Sequence, residues 1–282
     1  MTVGEHIELG RIIAAVVPLL TSFPCPAGAT IQTYIRLSSS ASLSDRYTAV
    51  KAIGHFPGAE ASDALLGRVH DPREHIYVRV EAAAGLMRQG DPAGGAFLAA
   101  TLADAYLENR LEAAIVLGEI GTSEAAALLI TALRDPEQHP EIRAGAAWSL
   151  GEIGTREALP VLIESFNALD LVIKVEAARA VAKLARQHLG DVLDALPWGC
   201  AAERPGLAWA LSKAGGFSVD QLLPALVDDD ARQWVAYIVG TQDPETLVPG
   251  IEALANRDPQ VYFAATVLWK IIASWIYDLE EY

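Results

Sequence analysis

The sequence has little cysteine, little lysine, and no apolar run that reaches the length of a membrane span. Two cysteines far apart in the chain, Cys25 and Cys200, cannot make a disulfide framework or a four-cysteine zinc site, so a reducing cytoplasmic setting is expected. Only five of the 21 basic residues are lysine, and against 36 acidic residues the formal charge is -15. Phosphate neutralisation needs a surplus of Lys and Arg, so nucleic-acid binding is not expected. The run Ile12 to Leu20 follows Glu5, Glu8 and Arg11, lacks the basic start of a secretion signal, and is too short to span a bilayer. Val261 to Tyr277 is longer but carries Lys270 and has acidic flanks, so it reads as a helix packed on protein, and no membrane partner is expected. A P-loop, Gly-x-Ser-x-Gly, Cys-x-x-Cys and His-Glu-x-x-His are all missing. What is abundant is apolar: hydrophobic residues make up 52% of the chain, enough for a large core and too much for disorder.

That apolar content is periodic. The segments Arg46-YTAVKAIGHF, Arg79-VEAAAGLMRQG, Arg110-LEAAIVLGEIG, Arg143-AGAAWSLGEIG, Lys174-VEAARAVAKLA, Arg204-PGLAWALSKAG and Arg232-QWVAYIVGTQD repeat one pattern. A basic residue is followed three and four positions later by small or apolar residues and seven later by Ile, Leu or Val, and glycine often comes eighth. Successive starts lie 33, 31, 33, 31, 30 and 28 residues apart, and a degenerate eighth copy begins at Val261. Positions three, four and seven share one helical face. Second apolar stretches lie between the motifs, at Ala61 to Val69, Ala93 to Ala103, Glu124 to Leu133, Glu157 to Leu169, Val219 to Val227 and Glu245 to Ala255. Each repeat is therefore expected to be a helical hairpin. Gly121-Thr122-Ser123, Gly154-Thr155 and the Asp-Pro pairs at 71, 91, 135, 243 and 258 mark the joints. Nothing alternates with period two, so no strands are expected.

Hairpins of this kind bury their apolar faces only by stacking, which predicts an all-α solenoid: a right-handed alpha-alpha superhelix of about eight hairpins over residues 45–282. Residues 1–44 are expected to form a cap, with helices from about Val3 to Leu20 and Thr30 to Leu37. In it the Phe23-PCPAG turn holds an unreactive Cys25, and Asp45 caps the first motif helix. At the motif residues, above all Leu117-GEIG and Leu150-GEIG, the chain resembles the HEAT-like repeats of the phycobilisome-lyase type. That family holds scaffolds, chromophore lyases, an iron hydroxylase and DNA glycosylase relatives, so the resemblance implies the fold and leaves function open. Its iron branch places His-Glu before the small-residue pair. Here those places hold Val80-Glu81, Leu111-Glu112, Ala144-Gly145 and Val175-Glu176, so no di-iron centre, metal or other cofactor is expected.

The motif arginines precede core positions on their helices and are expected to be structural, bonded by Asp71, Asp135 and neighbouring carbonyls. His70-DPREH, with Glu74 and His75, has metal-ligand residue types but reads as loop and cap residues. The solvent-facing stripe is a better candidate. Five residues after the motif base stand Lys51, Ala84, Ile115, Trp148, Arg179, Trp209 and Tyr237. Two after it stand Glu81, Glu112 and Glu176, and nine after it His55, Arg88, Glu119, Glu152, Lys183 and Lys213. The resemblance implies that this helix lines the concave face, giving a groove with an acidic N-terminal half and an aromatic middle. Trp148 and Trp209 are the leading contact candidates, set against the alternative that both rings merely pack on the preceding repeat.

The last helix is apolar nearly all round, so Phe263, Trp269, Trp275 and Tyr277 are expected either to be covered by the tail or to form a second interface, serving an oligomer or hetero-complex. The function expected is non-enzymatic: a cytoplasmic scaffold or adaptor holding a basic partner protein in the groove, as an immunity or inhibitor protein or a complex subunit. A bilin lyase or isomerase, with the aromatic stripe stacking a tetrapyrrole, is the alternative.

Overall fold

The computed structural model describes residues 30–241, 249–253 and 259–280, apart from the side chains of 272 and 274–280. The expected helix from Val3 to Leu20, the Cys25 turn and the rings of Trp275 and Tyr277 lie outside the described residues. Every regular element within them is helical. The helices pair along the chain: α1 (Ile31–Leu37) with α2 (Leu43–Ile53), α3 (Ala59–His70) with α4 (Ile76–Arg88), α5 (Pro92–Thr101) with α6 (Leu107–Ile120), and α7 (Ser123–Arg134) with α8 (Pro140–Ile153). Next, α9 (Leu159–Glu164), flanked by the 3-10 turns Arg156–Ala158 and Ser165–Asn167, pairs with α10 (Leu171–Leu184), and α11 (Leu189–Trp198) with α12 (Arg204–Ala214). Finally α13 (Leu223–Val227) pairs with α14 (Arg232–Gly240), and a helical segment at 249–253 precedes α15 (Pro259–Glu280). The chain is a solenoid of stacked helical hairpins.

The joints follow from local chemistry. Gly121 and Gly154 end α6 and α8 in the left-handed conformation, at φ 70° and 72°, which costs a glycine nothing. The Thr122 hydroxyl then accepts from Ala125 N at 3.2 Å and starts α7. At the first motif helix the cap is Ser42, whose Oγ accepts from Asp45 N. Asp45 sits one turn inside and accepts from the Ser40 hydroxyl, so its expected capping role is corrected. Helix α11 went unmarked in the sequence reading although Val192, Leu193 and Leu196 recur at helical spacing. Gly190 and Pro197 inside it obscure the pattern.

Four of the motif arginines bind their own hairpin, while Arg46 pairs with Glu74 and Arg110 donates to Gln138, each in the loop of the next hairpin. Arg79 Nε donates to Val69 O at 3.0 Å and Arg143 Nε to Leu133 O at 2.9 Å, each at the end of the helix before it. Arg204 and Arg232 likewise donate to Pro197 O and Leu226 O. A cation at a helix C-terminus meets the carbonyls that no intrahelical amide satisfies, so the ladder locks first helix to second. The carbonyl partners match expectation and the aspartates do not: Asp71 and Asp135 accept from the backbone N–H groups of Arg73 and Glu137 and shape the turns.

The two layers differ in spacing. Motif helices α2, α4, α6, α8, α10, α12 and α14 pack closely in unbroken succession, whereas the first helices of neighbouring hairpins touch sparsely. Glycines explain the closeness. A Cβ on Gly54 would lie 2.9 Å from Gly85 Cα, one on Gly118 2.8 Å from Ser149, and one on Gly151 2.8 Å from Ala180 Cα. The eighth residue of one motif thus faces the sixth of the next, and both must be small.

Candidate functional site

The stripe divides into two regions of different character. In the first, α2, α4 and α6 bring together Tyr47, Lys51, Glu81, Arg88, Glu112 and Glu119. Lys51 Nζ stands 2.8 Å from Glu119 and 3.8 Å from Glu81, bridging α2 to α6 across α4. That reach is open because α4 carries at the corresponding place only Ala84, which is fully buried. Arg88 lies 3.4 Å from Glu81, and the Tyr47 hydroxyl donates to it across 3.4 Å.

Glu81 is 0% exposed and Glu176 also buried, so these two carboxylates, expected on the solvent face, lie inside the seams between motif helices instead. Ala84 is corrected in the same way. Two residues past the arginine is a lateral position, and how much of it neighbours cover depends on how closely the next helix approaches. Glu112 is half-buried and Glu119 exposed. Burial first, then the charges of Glu81 and Glu119, pushes the Glu112 carboxyl up to about 7, with Lys51 opposing. The same burial and the three glutamates raise the Tyr47 phenol. Partial burial and the cations Arg88 and Lys51 lower His55, Glu81 opposing. This end of the groove therefore presents fewer free negative charges than its sequence suggests.

The second region is a groove of about 290 Å³ between α8 and α12. Trp148 and Trp209 form its walls, both half-buried. Trp209 packs partly on the core, so the rings are neither fully free nor fully internal. Across the intervening helix stand Arg179, Lys183 and, just beyond α10, Arg186, with Lys213 on the far side. Lys183 Nζ lies 5.7 Å from the Trp148 ring centre and Lys213 Nζ 5.8 Å from that of Trp209. Glu176 pairs with Arg179, and Glu152 pairs with Lys183. Four cations against two carboxylates, the lining Glu176 and Glu152 beside it, leave the aromatic middle with a cationic excess that the overall composition hides. Arg186 was not singled out by sequence reasoning; it stands three residues beyond Lys183, the last position followed in its repeat, and past the end of α10.

Tyr237 on α14 is half-buried against the core. On α15 the residues Val261, Ala264, Ala265 and Leu268 are buried, at helical spacing, against α13 and α14. Its other face leaves Tyr262 59%, Phe263 61% and Trp269 37% exposed. Phe263 also lies 6.0 Å from the Arg232 guanidinium.

Among the described residues, no group of three or more His, Cys, Asp or Glu could hold a metal ion, and no helix is long and apolar enough to cross a membrane. The His70–His75 loop is occupied structurally. Glu74 pairs with Arg46 and Arg68, and the His75 ring caps α4 by accepting from Tyr77 N.

Residues 96–182 match the family model for HEAT repeats. No curated protein matches the chain. Solved structures that resemble it include the complex of CpcE and CpcF of phycocyanin lyase from Nostoc sp. PCC7120, at 20% identity over 90% of this chain and 98% of that one, with a TM-score of 0.40. Human deoxyhypusine hydroxylase in complex with glycerol is 24% identical over 76% of this chain and 85% of that one, with a TM-score of 0.37. A designed armadillo repeat protein in complex with the peptide (KR)4 is 15% identical over 86% of this chain and 100% of that one, with a TM-score of 0.32.

Proposed function

We propose that this chain of HEAT-like repeats is a non-enzymatic scaffold that holds a partner protein along the stripe of its motif helices. The observation that carries the reading is the placement of two indole rings, Trp148 and Trp209, half-exposed on either side of one groove and bracketed by charged side chains. Large amphipathic rings at the centre of a polar surface are the usual anchors of protein interfaces. Glu112, Glu119 and the exposed Glu152 would meet basic groups of the partner, and Tyr237 would extend the contact toward the C-terminus. The exposed rings Phe263 and Trp269 on α15 would serve a second contact, through which the chain would join an oligomer or larger complex. The setting proposed is cytoplasmic.

Capture of partners from native lysate tests this reading, with wild type compared to Trp148→Ala plus Trp209→Ala. A polypeptide retained in stoichiometric amount by wild type and lost by the double variant, with the melting temperature lowered by no more than a few degrees, is the expected result. A partnerless protein that carries a chromophore or metal would refute the scaffold reading. A large loss of stability would place the rings in the core.

A further inference from the structure

We infer that the groove between Trp148 and Trp209 binds an acidic peptide segment in which an aromatic or long aliphatic side chain stands next to carboxylates. The inference rests on the scaffold reading and assigns this groove a partner of opposite charge to the one that the overall composition suggests.

Three observations carry it. The first is charge. In a chain with 36 carboxylates for 21 Lys and Arg, a cation can easily find an acid, and most of the stripe does so: Lys51, Arg88, Arg179 and Lys183 each pair with a glutamate. Arg186 and Lys213, both exposed at the groove, pair with no carboxylate among the described contacts. They flank the groove as two donors waiting for an anion, and an arginine there suits bidentate carboxylate recognition.

The second is the walls. Each indole already has a lysine near its ring, and since Lys183 is held by Glu152, an incoming carboxylate that meets Lys213 or Arg186 brings its neighbouring side chain onto the indole surfaces between them. A ligand with charge alone leaves the rings uncovered, and one with rings alone leaves the cations unpaired.

The third is size. About 290 Å³ lies just under the range of roughly 300–1,000 Å³ typical of small-molecule pockets. The space admits one or two side chains of a segment running along the solenoid. A nucleic acid strand would meet the same cations, but a formal charge of -15 opposes a long polyanion far more than a short acidic segment.

A displayed library of random peptides, selected on the full chain and reselected on Arg186→Glu plus Lys213→Glu, tests the inference. Both side chains are exposed, so the variant should fold, as circular dichroism melts would verify. The expected result is enrichment of Asp and Glu beside Phe, Tyr, Trp or Leu. Synthetic copies of these peptides should bind about tenfold more weakly to the charge-reversed variant and weaken as salt rises. Acidic peptides that bind the variant equally well would overturn the assignment, as would preferential binding of a single-stranded oligonucleotide. Recovery of basic peptides only, lost in Glu112→Gln plus Glu119→Gln and kept in the charge reversal, would sink this inference and leave the scaffold reading standing. Recovery of no peptide of either sign would count against both.

Discussion

Replacing a helix glycine by alanine should change sign with position in this solenoid. Gly67, three residues before the end of α3, and Gly151, two before the end of α8, both lie in the last turn of a helix, so they share a similar backbone term, a gain of up to about 1 kcal/mol when alanine replaces glycine in a helix. Their surroundings differ. A Cβ on Gly67 meets nothing within 4 Å, whereas one on Gly151 stands 2.8 Å from both Cα and Cβ of Ala180 in α10. No rotamer change relieves a clash with backbone, so α8 and α10 must separate at the most closely packed seam of the array. Overpacking of this kind costs roughly 1–3 kcal/mol, the upper part applying where backbone has to move. Gly67→Ala should therefore stabilise by about 0.5–1 kcal/mol, and Gly151→Ala should destabilise by a net of about 1–2 kcal/mol. The assay is urea unfolding followed both by circular dichroism and by tryptophan fluorescence, because repeat arrays need not unfold in one step. A Gly151→Ala protein as stable as wild type would refute the view that small residues at these crossings set the spacing of the motif layer.

Glu112→Gln should remove a pH dependence. A carboxyl held near 7 keeps its proton longer in the folded chain than in the unfolded one, so stability falls as pH rises from about 4.5 to 7 and then levels. At pH 8 the variant should exceed wild type by roughly 2–3 kcal/mol, and at pH 4 the two should agree. Parallel stability profiles across that range would show that Glu112 titrates normally. Arg143→Ala should cost about 1–2 kcal/mol by stripping the last turn of α7 of its charged donor to Leu133 O; calorimetry that finds no change would remove the arginine ladder from the forces joining the hairpins.

The repeat, its spacing and the identity of the second helix in each hairpin were legible in the sequence, because they depend on helical periodicity and on joint residues that act within a few positions. Gly121-Thr122 and Gly154-Thr155 mark where helices turn whatever surrounds them, since a left-handed glycine followed by an extended Thr155 or a capping Thr122 is a local arrangement. The pairing of the arginines with carbonyls was anticipated in kind, while the aspartates were misassigned because Asx turns compete for the same side chains at shorter range. Periodicity says which face of a helix a residue occupies, and it is silent on how near the next helix comes. Glu81 and Glu176 were placed on the correct helices and the wrong side of the surface for that reason. Only the stacking brought Trp148, Arg186 and Lys213 to one groove and concentrated cations in an acidic chain. Charge counted over a sequence adds without regard to position, whereas the field in a groove depends on distances between residues from different repeats, and those are fixed by how glycine and alanine let the helices approach.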